Sequence, residues 1–396
     1  MSREPAPLPA GRDRPRVLIL TAGFGEGHNA AARSLGAACD DLQGPGTARV
    51  LDLLALASPR LNAITRWGYL KAINQAPRLW SHAYRWMDRS SLLPRSFGWL
   101  LRRDRAVLAR ILDETEPAVI CSSYPVYAFM LEQLRQQGRR IPLHFNIVTD
   151  SISINSLWWR AGADGWFVPN EDSAEVMRQA GLPPGRVHVS GFPVTLYFSQ
   201  HHGEFSPPDL AAGAAPRVLY IINSGTRGAE ATARLLFAEE EWDVTCAVGR
   251  DEGLLRRLSA LAAGRRRPAQ ILGWTDAIPR LLMTHHAVIS KAGGATTQEA
   301  IAARCPMIVS QIVPGQEEGN YELLRRHGAG ALAESPEAVR DTLRRLFADR
   351  GAHWDRWREA ITTLSRPGAA HLIAAQVLEA AQHRGANPLF GLSPTA

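Results

Sequence analysis

Ala287-Val288-Ile289-Ser290-Lys291-Ala292-Gly293-Gly294-Ala295-Thr296-Thr297-Gln298-Glu299 is followed by Met307-Ile308-Val309 and then by Pro314-Gly315-Gln316-Glu317-Glu318-Gly319-Asn320. An apolar run of strand length ends in a glycine pair, a helix-forming stretch follows to about Arg304, and a second apolar run opens into a polar loop and another helix. Glycines at a strand-to-helix turn let backbone N–H groups close on a phosphate, and the helix dipole favours the negative charge. Acidic residues just beyond, here Glu299 and Glu317, suit hydroxyl-rich groups such as a ribose or a hexose. Two polar loops after consecutive parallel strands weigh more than a lone Gly-Gly turn, because ligands collect at the carboxyl ends of such strands.

The pattern extends outward in both directions. Val17-Leu18-Ile19-Leu20 runs into Gly23-Phe24-Gly25-Glu26-Gly27-His28 and an alanine-rich helix to about Asp41, the start of a Rossmann-like unit. Strand signals recur at 50–54, 118–121, 143–148, 165–168 and 187–193, with a helical insertion at 60–112. A second start, Val218-Leu219-Tyr220-Ile221-Ile222, meets Asn223-Ser224-Gly225 and another helix. The chain is therefore expected to be α/β, with two Rossmann-like domains. Residues 14–198 form the first and 217–350 the second; 199–216, rich in Gly, Pro, Ser and Ala, is a linker, 351–383 are terminal helices and 384–396 a tail.

The second-half loops resemble the sugar-nucleotide half of a GT-B glycosyltransferase. More closely, the chain is similar to the family of monogalactosyldiacylglycerol synthases and processive diacylglycerol glucosyltransferases, over most of residues 15–380. The peptidoglycan N-acetylglucosaminyltransferase is a more distant relative. The resemblance implies two domains facing a cleft, with the final helices crossing back to the first. It puts the ribose on Glu299, the donor hexose on Gln316 and Glu317 with Asn320 in the same loop, and the diphosphate at Ser224-Gly225 and Gly293-Gly294. The base falls near Trp274 and Ile278. Trp274 reads equally as a core residue capping the sheet, and Lys291 as a solvent-facing strand end or a phosphate contact.

In the first half, Gly25, Gly27 and His28 match the family's acceptor loop. A histidine in the first turn of a helix is biased toward neutral imidazole, the form able to take a proton. His28 reads as the base of an inverting transfer, or as a helix-capping residue without chemistry. Thr149, Asp150 and Trp158 match a second family element; Asp150 is a base, an orienter of one, or a strand-end cap. Where the family carries histidine this chain has Asn155, which cannot act as a base near neutral pH and leaves the acceptor open.

Composition bounds the rest. The 396 residues are 45% hydrophobic and 21% charged, as in a globular protein of two domains. No apolar run approaches bilayer length, and the N-terminus has no h-region of a secretory signal. Four scattered cysteines suggest buried thiols in a reducing cytosol. Neither an Asp-x-Asp motif nor a His/Cys cluster with metal spacing is present, so a metal-independent reaction with no cofactor is expected, UDP-sugar being the donor substrate. Residues 60–110 hold eleven basic and two acidic residues, a net +9 in a chain of net +7, so the remainder is −2. Trp67, Trp80, Trp86 and Trp99 lie in that segment, with Arg102, Arg103 and Arg105 at its end. Arginine with interleaved tryptophan suits a membrane interface, single-stranded nucleic acid, or a helical subdomain with a solvated basic face. The resemblance selects the membrane: a UDP-hexose donor, diacylglycerol or a similar lipid as acceptor, an anionic surface, no nucleic acid, and a cytoplasmic protein peripheral on the inner face of the cell membrane. A transferase with another lipid or polyprenyl acceptor and a catalytically weak UDP-sugar-binding protein are the competing readings.

Overall fold

A computed structural model describes residues 15–23, 25–60, 64, 65, 68, 101–222, 228–313, 315 and 317–382. The chain divides into two compact units, one holding the residues up to Leu196 together with those from Gly368 onward, the other Tyr197–Pro367. Each is an α/β unit around a six-stranded sheet whose strands all run parallel.

In the first unit the strands are β1 (Val17–Thr21), β2 (Ala48–Asp52), β3 (Val119–Ser122), β4 (Leu143–Ile147), β5 (Gly165–Val168) and β6 (Val187–Val189), in the order β2-β1-β3-β4-β5-β6. Successive side chains of a strand point to opposite faces, and β1 carries apolar residues on both. Val17 and Ile19 pack with Leu35, Ala38 and Cys39 of helix Glu26–Gln43 and with Ile373, Ala374 and Val377 of helix Ala369–Gln382. Leu18 and Leu20 pack on the other face with Leu53, Leu108, Ile111 and Tyr127. A strand buried on both faces reads as a continuous apolar run, which is how β1 reads. The helices that follow β1 and β3 thus leave on opposite faces. The crevice at the carboxyl ends of these two strands is the topological switch point, where ligands of open α/β sheets bind.

The second unit repeats the plan with β7 (Arg217–Ile221), β8 (Asp243–Ala247), β9 (Gln270–Leu272), β10 (Ala287–Lys291), β11 (Met307–Gln311) and β12 (Gly330–Leu332), in the order β12-β11-β10-β7-β8-β9. Its switch point is at the carboxyl ends of β7 and β10. Two segments differ from expectation. The stretch 199–216, read as a linker, is built into this unit: Leu210 is 6% exposed in its core, and the Pro208 carbonyl accepts a hydrogen bond from His286 Nε2 (2.8 Å). Gly and Pro marked turns there rather than a tether. Of the terminal helices, Pro336–Leu364 stays with the second unit through Val339, Leu343, Leu346 and Trp354, and Ala369–Gln382 alone packs on the first. The longer helix is interrupted at Ala348–Gly351, where Asp349, Arg350 and Gly351 take left-handed backbone angles.

Candidate active site

The first-unit locus is built on the carboxyl ends of β1, β3 and β4. Helix Glu26–Gln43 begins directly after the β1 loop and places His28 in its first turn. Gly25 is its N-cap and Gly27 lies inside its first turn. A Cβ on Gly25 would lie 3.8 Å from His28 Cδ2, an ordinary contact, so that glycine is not demanded by crowding. His28 Nδ1 lies 2.6 Å from the carbonyl oxygen of Ser123, just past β3, and 2.8 Å from Thr149 Oγ1, just past β4. A carbonyl can only accept, so Nδ1 carries the proton and donates it. The neutral ring therefore keeps its lone pair on Nε2. Tyr124 stands edge-on to the imidazole with ring centroids 5.2 Å apart.

Asp150 supplies the negative charge. Its Oδ2 accepts from the indole N–H of Trp158 at 2.7 Å, and a further bond comes from the Asn155 backbone. Burial raises the Asp150 carboxyl above the usual carboxylate range, against the pull of His28 and these two donors. Burial lowers His28, while Asp150 and the Ser123 carbonyl pull it back up. The two groups titrate as a pair rather than as independent sites. Tyr124 is pushed up to about 12 by burial and then by Asp150, so it stays a neutral phenol.

Trp158 is fully buried, so it braces Asp150 and cannot itself reach a lipid or a membrane, contrary to its placement among the acceptor contacts. Its own backbone carbonyl accepts from Trp166 Nε1 (2.7 Å) and from Asn146 Nδ2 (3.2 Å). Asn155 is 7% exposed, and its Oδ1 accepts from the Leu157 N–H (3.0 Å), starting the short helix Leu157–Arg160. An Asx-turn amide, bonded two residues on, explains this residue without proton chemistry. Sequence reading missed Ser123, Tyr124, Asn146 and Trp166. The polar run Ser122-Ser123-Tyr124 at the end of an apolar strand was the available signal for the first two. Nothing local marks the other two.

The second-unit locus lies at the ends of β9, β10 and β11. Gly293 is the N-cap of helix Gly294–Ala302, whose first turn no side chain caps, leaving it suited to an anion. Glu299 is half-buried in that helix. Asn320, in the first turn of helix Glu318–Arg326, donates from Nδ2 to the Ala292 carbonyl (2.9 Å), tying that helix start to the β10 loop, while Asn320 Oδ1 and Thr297 Oγ1 are buried without a hydrogen-bond partner. Lys291 is neither a solvent-facing strand end nor an unengaged cation: its Nζ is 2.5 Å from Glu317 Oε1. Trp274 is 74% exposed with the Arg250 guanidinium 4.6 Å over its ring, so it does not cap the sheet from within. Ile278 opens helix Ile278–Thr284 and is partly buried. Ser224, Gly225 and Gln316 lie outside the described residues.

Of the basic segment, Trp67, Trp80, Trp86 and Trp99 lie outside the described residues. Arg102 and Arg103 are exposed at the start of helix Arg102–Thr115, whereas Arg105 is partly buried and donates to Gln133. Among the described residues no helix is long and apolar enough to cross a membrane. No group of three His, Cys, Asp or Glu side chains among them could hold a metal ion. All four cysteines are buried free thiols, and burial raises each well above its ordinary value.

Residues 28–194 match the family model described as monogalactosyldiacylglycerol (MGDG) synthase. The chain is 26% identical over 369 residues to the processive diacylglycerol beta-glucosyltransferase of Bacillus subtilis (strain 168), covering 92% of this chain and 95% of that relative. It is 24% identical over 367 residues to the enzyme of the same name from Bacillus licheniformis, covering 92% and 94%. Among solved structures, Os79 from O. sativa in complex with UDP superposes with a TM-score of 0.60 at 13% identity, over 92% of this chain and all of that one (100%). UDP-GlcNAc 2-epimerase from Neisseria meningitidis, bound to UDP-GlcNAc, gives 0.55 at 11% identity, over 92% and 99%. These two likenesses establish the fold, which is that of the GT-B glycosyltransferases.

Proposed function

We propose that this chain, whose residues 28–194 match the family model of monogalactosyldiacylglycerol synthase, transfers a hexose from a UDP-sugar to diacylglycerol. Its curated relatives carry diacylglycerol glucosyltransferase in their names and match along nearly their whole length, and solved neighbours of the same fold hold UDP or UDP-GlcNAc. The observation that carries the chemistry is the His28 Nδ1–Ser123 carbonyl bond beside Asp150. It leaves Nε2 as an acceptor on an imidazole held neutral.

In this reading the acceptor hydroxyl gives its proton to His28 Nε2 as its oxygen attacks the anomeric carbon, which inverts the configuration there. Asp150 stabilises the imidazolium that forms. The bond from the anomeric carbon to the β-phosphate oxygen breaks, and UDP leaves with the electron pair. Its charge is taken up by the uncapped first turn of helix Gly294–Ala302 and by backbone donors, with no metal or cofactor. Glu299 serves the ribose; Gln316, Glu317 and Asn320 serve the hexose; Ser224, Gly225, Gly293 and Gly294 serve the diphosphate; Trp274 and Ile278 serve the base. Arg102 and Arg103, with the tryptophans of residues 60–100, bring the protein to an anionic membrane surface from the cytoplasmic side.

Purified protein with labelled UDP-glucose or UDP-galactose and diacylglycerol vesicles is expected to yield labelled glycolipid. His28→Ala is expected to lower kcat by about 10²–10⁴-fold without changing UDP affinity. A His28→Ala enzyme with near-normal turnover would remove the base assignment. Asn155, in place of the family's histidine, supports a second reading in which the acceptor is a different lipid. Transfer to a polyprenyl phosphate in preference to diacylglycerol would establish it.

A further inference from the structure

Lys291 is one of only two lysines among 45 basic residues, and it sits where a diphosphate ligand is looked for. The register of β10 on β11 shifts between Ser290 and Lys291, so Lys291 faces Gln311 rather than the next residue in step. Such an irregularity re-aims a side chain at the end of a strand. The re-aimed ammonium meets Glu317 Oε1 at 2.5 Å, while Glu317 Oε2 accepts from the Val313 N–H at 3.0 Å. Glu317 is 7% exposed, and the pair lies over the glycine turn: a Cβ on Gly293 would be 3.5 Å from Lys291 Cε and 3.7 Å from Glu317 Oε1.

Both carboxylate oxygens are thus held, one from each strand end. A lysine already matched by a buried carboxylate brings little net charge to a phosphate. Pulling it away would leave Glu317 buried and unpaired, which is costly. We propose that Lys291 is a positioning residue that fixes the Glu317 carboxylate for recognition of the donor hexose, and is not itself a ligand of the diphosphate. The inference rests on the UDP-hexose reading above. A carboxylate held by two fixed donors keeps its remaining lone pairs in one orientation, the condition for telling sugar hydroxyls apart.

The test is calorimetric titration with UDP, UDP-glucose and UDP-galactose of the full chain and of Lys291→Met, Lys291→Arg, Glu317→Gln and the Lys291→Met/Glu317→Gln double variant. Lys291→Met is expected to keep its UDP affinity within about twofold, which also shows that it is folded. It should weaken the productive UDP-hexose about tenfold or more, the loss of a hydrogen bond to a charged group. Glu317→Gln should do the same, and the double variant should be no weaker than either single change, as for residues acting through one contact. Lys291→Arg should recover most of the hexose affinity. Equal weakening of UDP and UDP-hexose by Lys291→Met would make Lys291 a phosphate ligand and overturn the proposal, as would a Lys291→Met variant that binds both like the parent. Failure of the parent chain to bind UDP at all would instead overturn the donor reading, and this inference with it.

Discussion

At the scale of single residues, the chemistry depends on which nitrogen of His28 holds a proton, and one carbonyl oxygen decides it. The charge beside that ring is opposed by burial of Asp150 and favoured first by His28 and then by the indole N–H of Trp158. Replacing Trp158 by Phe keeps an aromatic ring in the buried site but removes the N–H that holds Asp150 Oδ2. That bond lowers the Asp150 carboxyl, so without it the coupled His28–Asp150 pair takes up its proton at higher pH. The expected outcome is an acid limb of the kcat profile displaced to higher pH, with KM for the UDP-sugar little changed. A variant losing activity with an unmoved profile would make Trp158 a packing residue only. His28 was legible from its place in the first turn of a helix after a glycine-rich loop and Asp150 as a carboxylate just past a strand, whereas Thr149 and Trp158 came only from the family resemblance. Ser123 stood in the polar run that ends β3, but it acts through its backbone oxygen, which any residue supplies; Asn146 and Trp166 act through side-chain N–H groups on the Trp158 carbonyl, 12 and 8 positions away, a pairing that nothing local marks. Lys291 was visible as a rare residue, but its partner stands 26 positions away in a loop whose closure no pattern announces.

At the scale of elements, the strand–turn–helix alternation was readable throughout, because two-sided burial makes parallel strands apolar without interruption. The break in helix Pro336–Leu364 was not. Its left-handed residues include Asp349 and Arg350, which carry no glycine signal, beside Gly351. At Gly351 the φ of 89° coincides with close packing: an added Cβ would lie 2.7 Å from Leu210 Cδ1 and 3.0 Å from its Cβ. Gly351→Ala is expected to destabilise the protein by about 2 kcal/mol or more, from the left-handed backbone and the displaced leucine together. Denaturant titration measures it. In the first unit, helix Arg102–Thr115 presents Arg102 and Arg103 to solvent while Arg105 is engaged with Gln133. Arg102→Ser/Arg103→Ser is expected to reduce co-sedimentation with anionic vesicles, more strongly at low salt than at high salt, and to leave UDP affinity intact. Arg105→Ser should perturb stability as well. Unchanged vesicle binding by the double variant would take this helix end out of the membrane contact.

At the scale of the whole molecule, three histidines remain neutral inside the fold. Burial lowers His144 to about 3 and both His285 and His286 to about 4. His286 accepts from the Arg217 N–H on Nδ1 (2.8 Å) and donates from Nε2 to Pro208, so a second ring proton would break the first bond. In the unfolded chain these rings titrate near 6.5. As pH falls below that value the unfolded state takes up protons that the folded state refuses, and stability drops until the folded rings also protonate. Each ring fully in that window contributes a slope of about 1.4 kcal/mol per pH unit. Melting temperature is therefore expected to fall between pH 6.5 and 4, and His286→Gln should flatten part of that fall even where it lowers stability at neutral pH. A melting temperature independent of pH across the window would contradict the buried neutral rings.

The return of helix Ala369–Gln382 to the first unit sets an order on biosynthesis. Residues 197–367 leave the ribosome with every strand of their own sheet in hand, whereas the first sheet, though made earlier, waits for Ile373, Ala374 and Val377 to cover Val17, Ile19 and Val119. Cys39 and Cys121 lie in that same layer, so a chain arrested after Pro367 would leave thiols open to alkylation that the finished protein seals. The half of the protein translated first is thus the half that closes last.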